Sequence, residues 1–176
     1  LIMDYYKDWP VSFVVQEQQL GTGHAVMQAE QSLAGFSGNV LILAGDVPLL
    51  SEATLRALLD FHKTKRAAAT DLTAVLDDAG NYGRVVRSKG GKVERIVEKK
   101  DATLEELKIR EINTGTFCFD KAALYSALKE VRADNAQKEY YLTDTIEILK
   151  KNNEPVLAFP TANPAETLGI NTKDEL

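Results

Sequence analysis

The 176-residue sequence predicts one α/β domain, residues 1–176, built on a mixed, mostly parallel sheet with a β-hairpin insertion. Three observations predict it. Residues 40–44, Val-Leu-Ile-Leu-Ala, are too few for a membrane span and too uniformly apolar for a half-exposed strand, so they read as a buried parallel strand. Strand-like runs alternate with apolar residues at helical spacing along the chain. The alternating runs 82–87 and 92–98, on either side of Lys89-Gly90-Gly91, read as a hairpin with a glycine turn that breaks the alternation.

The apolar run ends at Gly45-Asp46. In open α/β sheets ligands bind beyond the carboxyl ends of the strands, where a glycine admits a ligand to the backbone and a carboxylate supplies a hard oxygen. Asp46 is therefore a candidate for metal or substrate work; the alternative is that it terminates a strand in a turn. Pro48 stops the strand, Ser51 is placed to cap a helix over 51–64, and Glu52 suits the helix dipole. Leu55, Leu58, Leu59 and Phe61 give that helix its apolar face, and His62, beside lysines, is assigned to solvent.

Upstream, residues 1–10 carry aromatic and charged residues but neither a start methionine nor a capping signal, so the chain reads as one entered partway through. Residues 11–15 read as a strand. Gly21-Thr22-Gly23 then forms a loop before a helical pattern over 24–33, and its amides suit a phosphate or a base. It is no dinucleotide fingerprint, since the third small position falls on Val26, and no P-loop, since it lacks a Gly-Lys-Ser/Thr ending. His24, in the first helical turn, reads as a packing or hydrogen-bonding residue more readily than as a base.

Downstream, 71–76 reads as a strand closed by the turn 77–81, and Gly83 as a glycine of close approach. Glu98-Lys99-Lys100-Asp101 reads as solvated surface. Residues 111–119 form a strand with a polar beginning, 121–131 a helix, and Thr143 with Glu147 opens a further helix bearing Ile146 and Leu149. Residues 156–159 close the pattern as a short strand.

With 44% hydrophobic and 27% charged residues the composition is that of a folded domain, and a net charge of -5 with no basic stripe argues against nucleic-acid or anionic-membrane binding. The lone Cys118, in a strand-like run, reads as a buried structural thiol, which excludes a disulfide framework or a cysteine metal cluster. Lys173-Asp174-Glu175-Leu176 spells a retention signal for the endoplasmic reticulum. No signal peptide or transmembrane run accompanies it, so a cytoplasmic location is expected.

Seven segments, in order and approximate spacing, carry a resemblance. They are Gln18-Gln19-Leu20-Gly21-Thr22-Gly23-His24-Ala25, Gly45-Asp46-Val47-Pro48-Leu49, Tyr82-Gly83-Arg84, Ile96-Val97-Glu98, Glu111-Ile112-Asn113-Thr114-Gly115, Glu139-Tyr140-Tyr141-Leu142-Thr143-Asp144 and Gly169-Ile170-Asn171. Together they resemble the uridylyltransferase domain of the bacterial bifunctional N-acetylglucosamine-1-phosphate uridylyltransferase/glucosamine-1-phosphate acetyltransferases, over nearly the whole chain. The resemblance implies a Rossmann-like nucleotide-diphospho-sugar transferase fold. It implies transfer of UMP from UTP to N-acetylglucosamine 1-phosphate, giving UDP-N-acetylglucosamine, a cell-wall precursor, and pyrophosphate. By the same similarity Gln16, Gly21 and Thr22 hold the uracil, Asp46 and Asn171 hold Mg2+, and Gly83, Glu98 and Asn113 contact the sugar. Those residue types suit the roles, since amides read base edges and carboxylate and amide oxygens bind hard cations.

The sequence also departs from that family. The glycine-rich loop that follows the first strand in the family, with its lysine, is absent, so an N-terminally incomplete domain is expected, inactive in transfer and prone to self-association along an uncovered strand. Ala44 stands where many members carry an aromatic residue. The chain stops before any hexapeptide repeat, so acetyltransferase and trimer contacts are not expected. A non-catalytic nucleotide-sugar binding module, or a pyrophosphorylase for another sugar 1-phosphate, are the alternatives.

Overall fold

A computed structural model describes residues 2–170. Asn171 and the terminal Lys173-Asp174-Glu175-Leu176 lie outside the described residues. The chain opens with a single helical turn, α1 (Ile2–Tyr5), followed by residues 11–16, which pair with no strand among the described residues. The strand expected over 11–15 is therefore not formed. Its β-branched side chains suit a sheet, but no partner meets it, and Val11, Phe13, Val14 and Val15 are all exposed.

Helix α2 (Thr22–Gln28) leads to β1 (Asn39–Ile42). Next come α3 (Glu52–Lys65) and β2 (Ala69–Val75). The hairpin β3 (Arg84–Arg87) and β4 (Val93–Val97) is antiparallel as expected. It is followed by β5 (Glu111–Asp120), α4 (Lys121–Leu128), α5 (Asp144–Lys151) and β6 (Val156–Pro160). The sheet runs β4-β3-β5-β2-β6, with β1 also paired to β5. Helices α2, α4 and α5 pack around the core of Phe117, Phe119, Leu124, Leu128, Ile146 and Leu149, while Leu58 of α3 meets Leu72 and Cys118 on the opposite face. Cys118 is buried as expected, and burial pushes its thiol up to about 12, which makes it inert.

The mixed sheet agrees with expectation; its pairing balance does not. Strands β1, β2, β3 and β6 point one way and β4 and β5 the other, yet β2 with β6 is the one parallel pairing among the described residues. The reason is that β5, running against the majority, occupies the middle and pairs with three of them. Strand β1 is correspondingly antiparallel, to Phe117–Asp120 of β5, and is half-buried instead of fully buried. Val40 and Ile42 pack on the core, whereas Leu41 and Leu43 are exposed because no described element covers their side.

His62 is a second correction. It is 1% exposed and its Nδ1 lies 2.9 Å from Thr70 Oγ1. His62 is four residues after Leu58, so it continues the buried stripe of α3 whatever its lysine neighbours do. Burial lowers its pKa and favours the neutral ring, with Asp120 opposing.

The ladder between β2 and β5 is interrupted. Asp71 pairs with Phe117 and Thr73 with Asn113, so β2 advances two residues while β5 advances four. Gly115 lies in that bulge at φ 77°, a conformation that glycine adopts without strain. Polar side chains replace the lost ladder bonds. Thr114 Oγ1 donates to Leu72 O at 2.7 Å, and Asn113 Oδ1 accepts from Gly115 N at 2.9 Å.

Asp71, beside the bulge, is fully buried and neither carboxylate oxygen has a hydrogen-bond partner. Burial pushes its pKa well above the ordinary 3.8, and the negative Glu111 adds to the effect. Because the folded-state pKa is raised, the protonated carboxyl's contribution is complete below the unfolded value and is lost as pH rises through the folded one. Asp71→Leu is expected to raise stability at neutral pH by about 1–3 kcal/mol and to flatten this pH dependence. Urea titrations of both proteins from acid to neutral pH measure it, and an unaltered pH slope counts against a buried, protonated Asp71.

Candidate functional site

At the C-terminal end of β1 the chain turns through Ala44, Gly45 and Asp46 into a polar cleft of about 440 Å3. Five separated segments meet there: Asp46, the Tyr82-Gly83 turn before β3, Glu98 after β4, the Asn113–Gly115 bulge of β5, and Gly169. The cleft thus gathers Asp46, Gly83, Glu98 and Asn113, all singled out from the sequence. Asp46 is solvent-exposed, and its carbonyl accepts from Ile170 N at 2.8 Å. Asn171 cannot be placed, since it lies outside the described residues.

A side chain at Gly83 would be a tight fit. A β-carbon there would stand 3.2 Å from Ile96 Cγ2 and 3.4 Å from Glu98 Oε2, while Gly83 O accepts from Asn113 N at 3.0 Å. The turn is held by Arg84, 4% exposed, whose guanidinium donates to Tyr82 O and to Gly80 O. Tyr82 OH in turn accepts from Gly169 N at 2.9 Å. A glycine before a strand was a legible sign of close approach; that its neighbour is the Glu98 carboxylate was not.

Glu98 is half-buried, unlike the exposed Lys99, Lys100 and Asp101 of its charge cluster, so the solvated-surface reading holds for three of the four. Burial raises its pKa, Thr143 Oγ1 donating to Oε1 at 3.0 Å works against that rise, and Asp101 adds to it. Thr143 is the N-cap at which α5 opens, as expected. Its backbone is helical and its side chain makes no cap bond, because the hydroxyl is directed to Glu98. Behind it Asp144 is pushed up to about 6, by burial and then by Glu147, Glu98 and Asp101.

The Gly21-Thr22-Gly23 loop also packs closely against a neighbouring segment, which engages the Gly23 amide. A β-carbon on Gly21, at φ 106°, would lie 2.7 Å from Tyr140 O, and one on Gly23 2.9 Å from the same oxygen. Both glycines exist to let the 139–142 segment approach, which it does through Gly23 N to Tyr140 O and Tyr140 N to Leu20 O, both 2.8 Å. Thr22 Oγ1 accepts from Leu142 N at 3.0 Å. Gln16 Nε2 donates to Gly21 O and lies 3.0 Å from His24 Nδ1, and Gln28 lies 3.2 Å from His24 Nε2. His24 is thus a hydrogen-bonding residue clamped between two amides, as the sequence reading preferred.

Thr22 lines a second chamber of about 270 Å3, which adjoins the cleft at Ala44, Glu98, Asn113 and Gly115. Gln16 and Gly21 line neither space and reach it through Thr22. Thr114, Gly115, Tyr82 and Thr143 were not singled out from the sequence as site residues. The strongest signal for them was Asn-Thr-Gly in mid-strand, where a glycine marks a bulge. Thr143→Val is expected to raise the Glu98 pKa further, since the bond to the charged form is lost, and to cost about 1 kcal/mol. Carboxyl-carbon NMR titration of Glu98 in both proteins checks the direction; a downward or absent shift refutes the assigned role.

Comparison with known proteins gives this geometry a context. Residues 3–163 match the family described as nucleotidyl transferase. The chain is 55% identical over 163 residues to the bifunctional protein GlmU of Halalkalibacterium halodurans, covering 93% of this chain and 36% of that protein. It is 53% identical over 166 residues to the bifunctional protein GlmU of Brevibacillus brevis, covering 94% and 36%. The chain thus spans about a third of the length of the curated relatives it matches. The crystal structure of UDP-glucose pyrophosphorylase complexed with UDP-glucose superposes with a TM-score of 0.64 at 17% identity, over 85% of this chain and 58% of that one, a likeness of fold. With the family match running through every strand of the sheet, this chain belongs to the nucleotidyl transferase family.

Proposed function

We propose that this domain serves uridylyl transfer between UTP and N-acetylglucosamine 1-phosphate, giving UDP-N-acetylglucosamine and pyrophosphate. One observation carries the reading: a polar cleft beyond the end of β1 assembles Asp46, Gly83, Glu98 and Asn113 from four segments. It is supported by the identity to the GlmU proteins. In this reading Glu98 and Asn113 orient the sugar, with the carboxylate accepting from hydroxyl or amide hydrogens, and Gly83 admits the sugar ring to the backbone. The Gln16-Gly21-Thr22 loop orients the base.

A sugar phosphate oxygen attacks the α-phosphorus, forming one P–O bond as the bond to pyrophosphate breaks. No side chain acts as a nucleophile, so the residues contribute by alignment. Mg2+ is the metal proposed, and when bound it neutralises phosphate charge. Among the described residues no group of three or more His, Cys, Asp or Glu forms a metal cage. A single exposed carboxylate, Asp46, fits an ion that takes one or two protein oxygens and completes its shell with phosphates and water; Asn171 is the proposed second ligand. Among the described residues no helix is long and apolar enough to cross a membrane.

Thermal unfolding with and without UDP-N-acetylglucosamine and Mg2+ tests the reading. Ligand at 100 times its Kd stabilises by about 2.7 kcal/mol, a rise of roughly 5–10 °C at this size. Asp46→Asn is expected to remove the metal-dependent part of the rise. A cooperative transition that does not move with ligand overturns the assignment, and a larger rise with UDP-glucose moves it to another sugar.

A further inference from the structure

Glu166, in the short 3-10 turn Pro164–Thr167, is 7% exposed, and among the described residues no lysine or arginine pairs with it. Its partners are neutral donors. Oε2 accepts from Ser51 N at 3.1 Å, and Oε1 accepts from the Thr54 and Thr161 hydroxyls at 2.7 and 3.1 Å. Burial opposes the charge, and the bonds from Thr54, Ser51 and Thr161 outweigh it, holding the carboxyl below its usual range. A buried charge without a counter-ion is a costly way to hold a fold together, and what its three bonds fix is the loop that carries Asp46.

Residues 46–50 form neither helix nor strand and lead into Ser51, the N-cap of α3. Their shape is set by where their ends are held. At one end the Asp46 carbonyl accepts from Ile170 N at 2.8 Å, and at the other Ser51 N donates to Glu166. Both anchors belong to one stretch, so residues 46–51 and 166–170 close a ring. Thr161 N, donating to Thr73 O at 2.8 Å, roots that stretch on β2, and Gly169 N, donating to Tyr82 OH at 2.9 Å, roots it at the cleft. The Asp46 carboxylate itself accepts no hydrogen bond among the described residues, so its direction follows from its backbone.

We propose that Glu166 is a positioning residue for the metal site: by tying the start of α3 to the 161–170 stretch it sets the backbone of Asp46, and with it the grip on the cation. This rests on the nucleotide-sugar and Mg2+ reading above. Glu166 lines neither the polar cleft nor the chamber beside it and acts through the loop. A ligand held by such a supporting contact binds its ion more tightly than one left to move, because less freedom is lost on binding.

Calorimetric titration of this chain with UDP-N-acetylglucosamine, once with Mg2+ and once with a chelator in its place, tests it. The ratio of the two Kd values isolates the metal's share of binding. Glu166→Ala is expected to cut that ratio about tenfold while leaving the Kd in chelator unchanged. Glu166→Gln, which keeps an acceptor for Ser51 N and can donate to the threonine hydroxyls, is expected to retain the ratio. In the alanine background Asp46→Asn is expected to have little further effect, since both changes act on one cation. Should Glu166→Ala give no cooperative unfolding transition, Thr54→Val, which deletes one of the three donors, takes its place and is expected to cut the ratio about threefold. An unaltered ratio in the alanine or valine variant, a loss equal with and without Mg2+, or a glutamine variant as impaired as the alanine one overturns the positioning role. If the unaltered chain binds the nucleotide sugar equally with and without Mg2+, the metal reading of Asp46 fails and the proposal with it; if it binds in neither case, the nucleotide-sugar reading itself fails.

Discussion

The bulge in β5 is the constraint on which the rest of the molecule depends. A strand that pairs with three neighbours would ordinarily be the most regular in its sheet, and its side chains would alternate between two sealed faces. Here four residues of β5 answer two of β2, and the mismatch falls where the strand changes neighbours from β3 to β1. The break turns Asn113 and Gly115 toward the cleft, while Phe117 and Phe119 beyond it remain in the core. Thr114 makes this tolerable, because its buried hydroxyl takes up a carbonyl that the ladder no longer satisfies.

The same irregularity concentrates carboxyl groups in low-dielectric surroundings. Asp71 flanks the register shift without a partner, Glu98 is half-buried in the cleft, and Asp144 stands at the start of α5. All three are shifted upward chiefly by burial. Arg87 and Arg84, the cations of β3, are engaged elsewhere, Arg87 with Glu111 at 2.6 Å and Arg84 with backbone carbonyls. The site therefore presents oxygen acceptors and amides more than positive charge, which suits hydroxyls and amide hydrogens better than bare phosphate.

Much of this was legible in the sequence, for reasons that differ by element. The cap at Ser51 is chemical and local, and its hydroxyl accepts from Thr54 N as its position implied. The hairpin about Gly90-Gly91 was equally local. The direction of β1 was illegible, since an apolar run records burial and not polarity of pairing, and its partner lies some 80 residues on. Residues 11–15 have strand propensity without a strand's partner. Asp46, Gly83, Glu98 and Asn113 were nameable through motif resemblance, but their meeting depends on long-range pairing that no local pattern encodes. The opening of α5 at Thr143 was legible, whereas the direction of its hydroxyl depends on Glu98, 45 residues away in the chain.

The hydrogen bonds that run from the glycine loop through the 140–143 segment to Glu98 form a continuous ladder. Tyr140 is bonded to Leu20 and Gly23, Leu142 to Thr22, and Thr143 to Glu98. The two ends of the ladder border the places assigned to base and sugar, so immobilising either end lowers the entropy still to be lost at the other. Such coupling is reciprocal by thermodynamic necessity. Under the function proposed above, the two halves of one nucleotide sugar would be held as a cooperative pair, each sharpening the grip on the other.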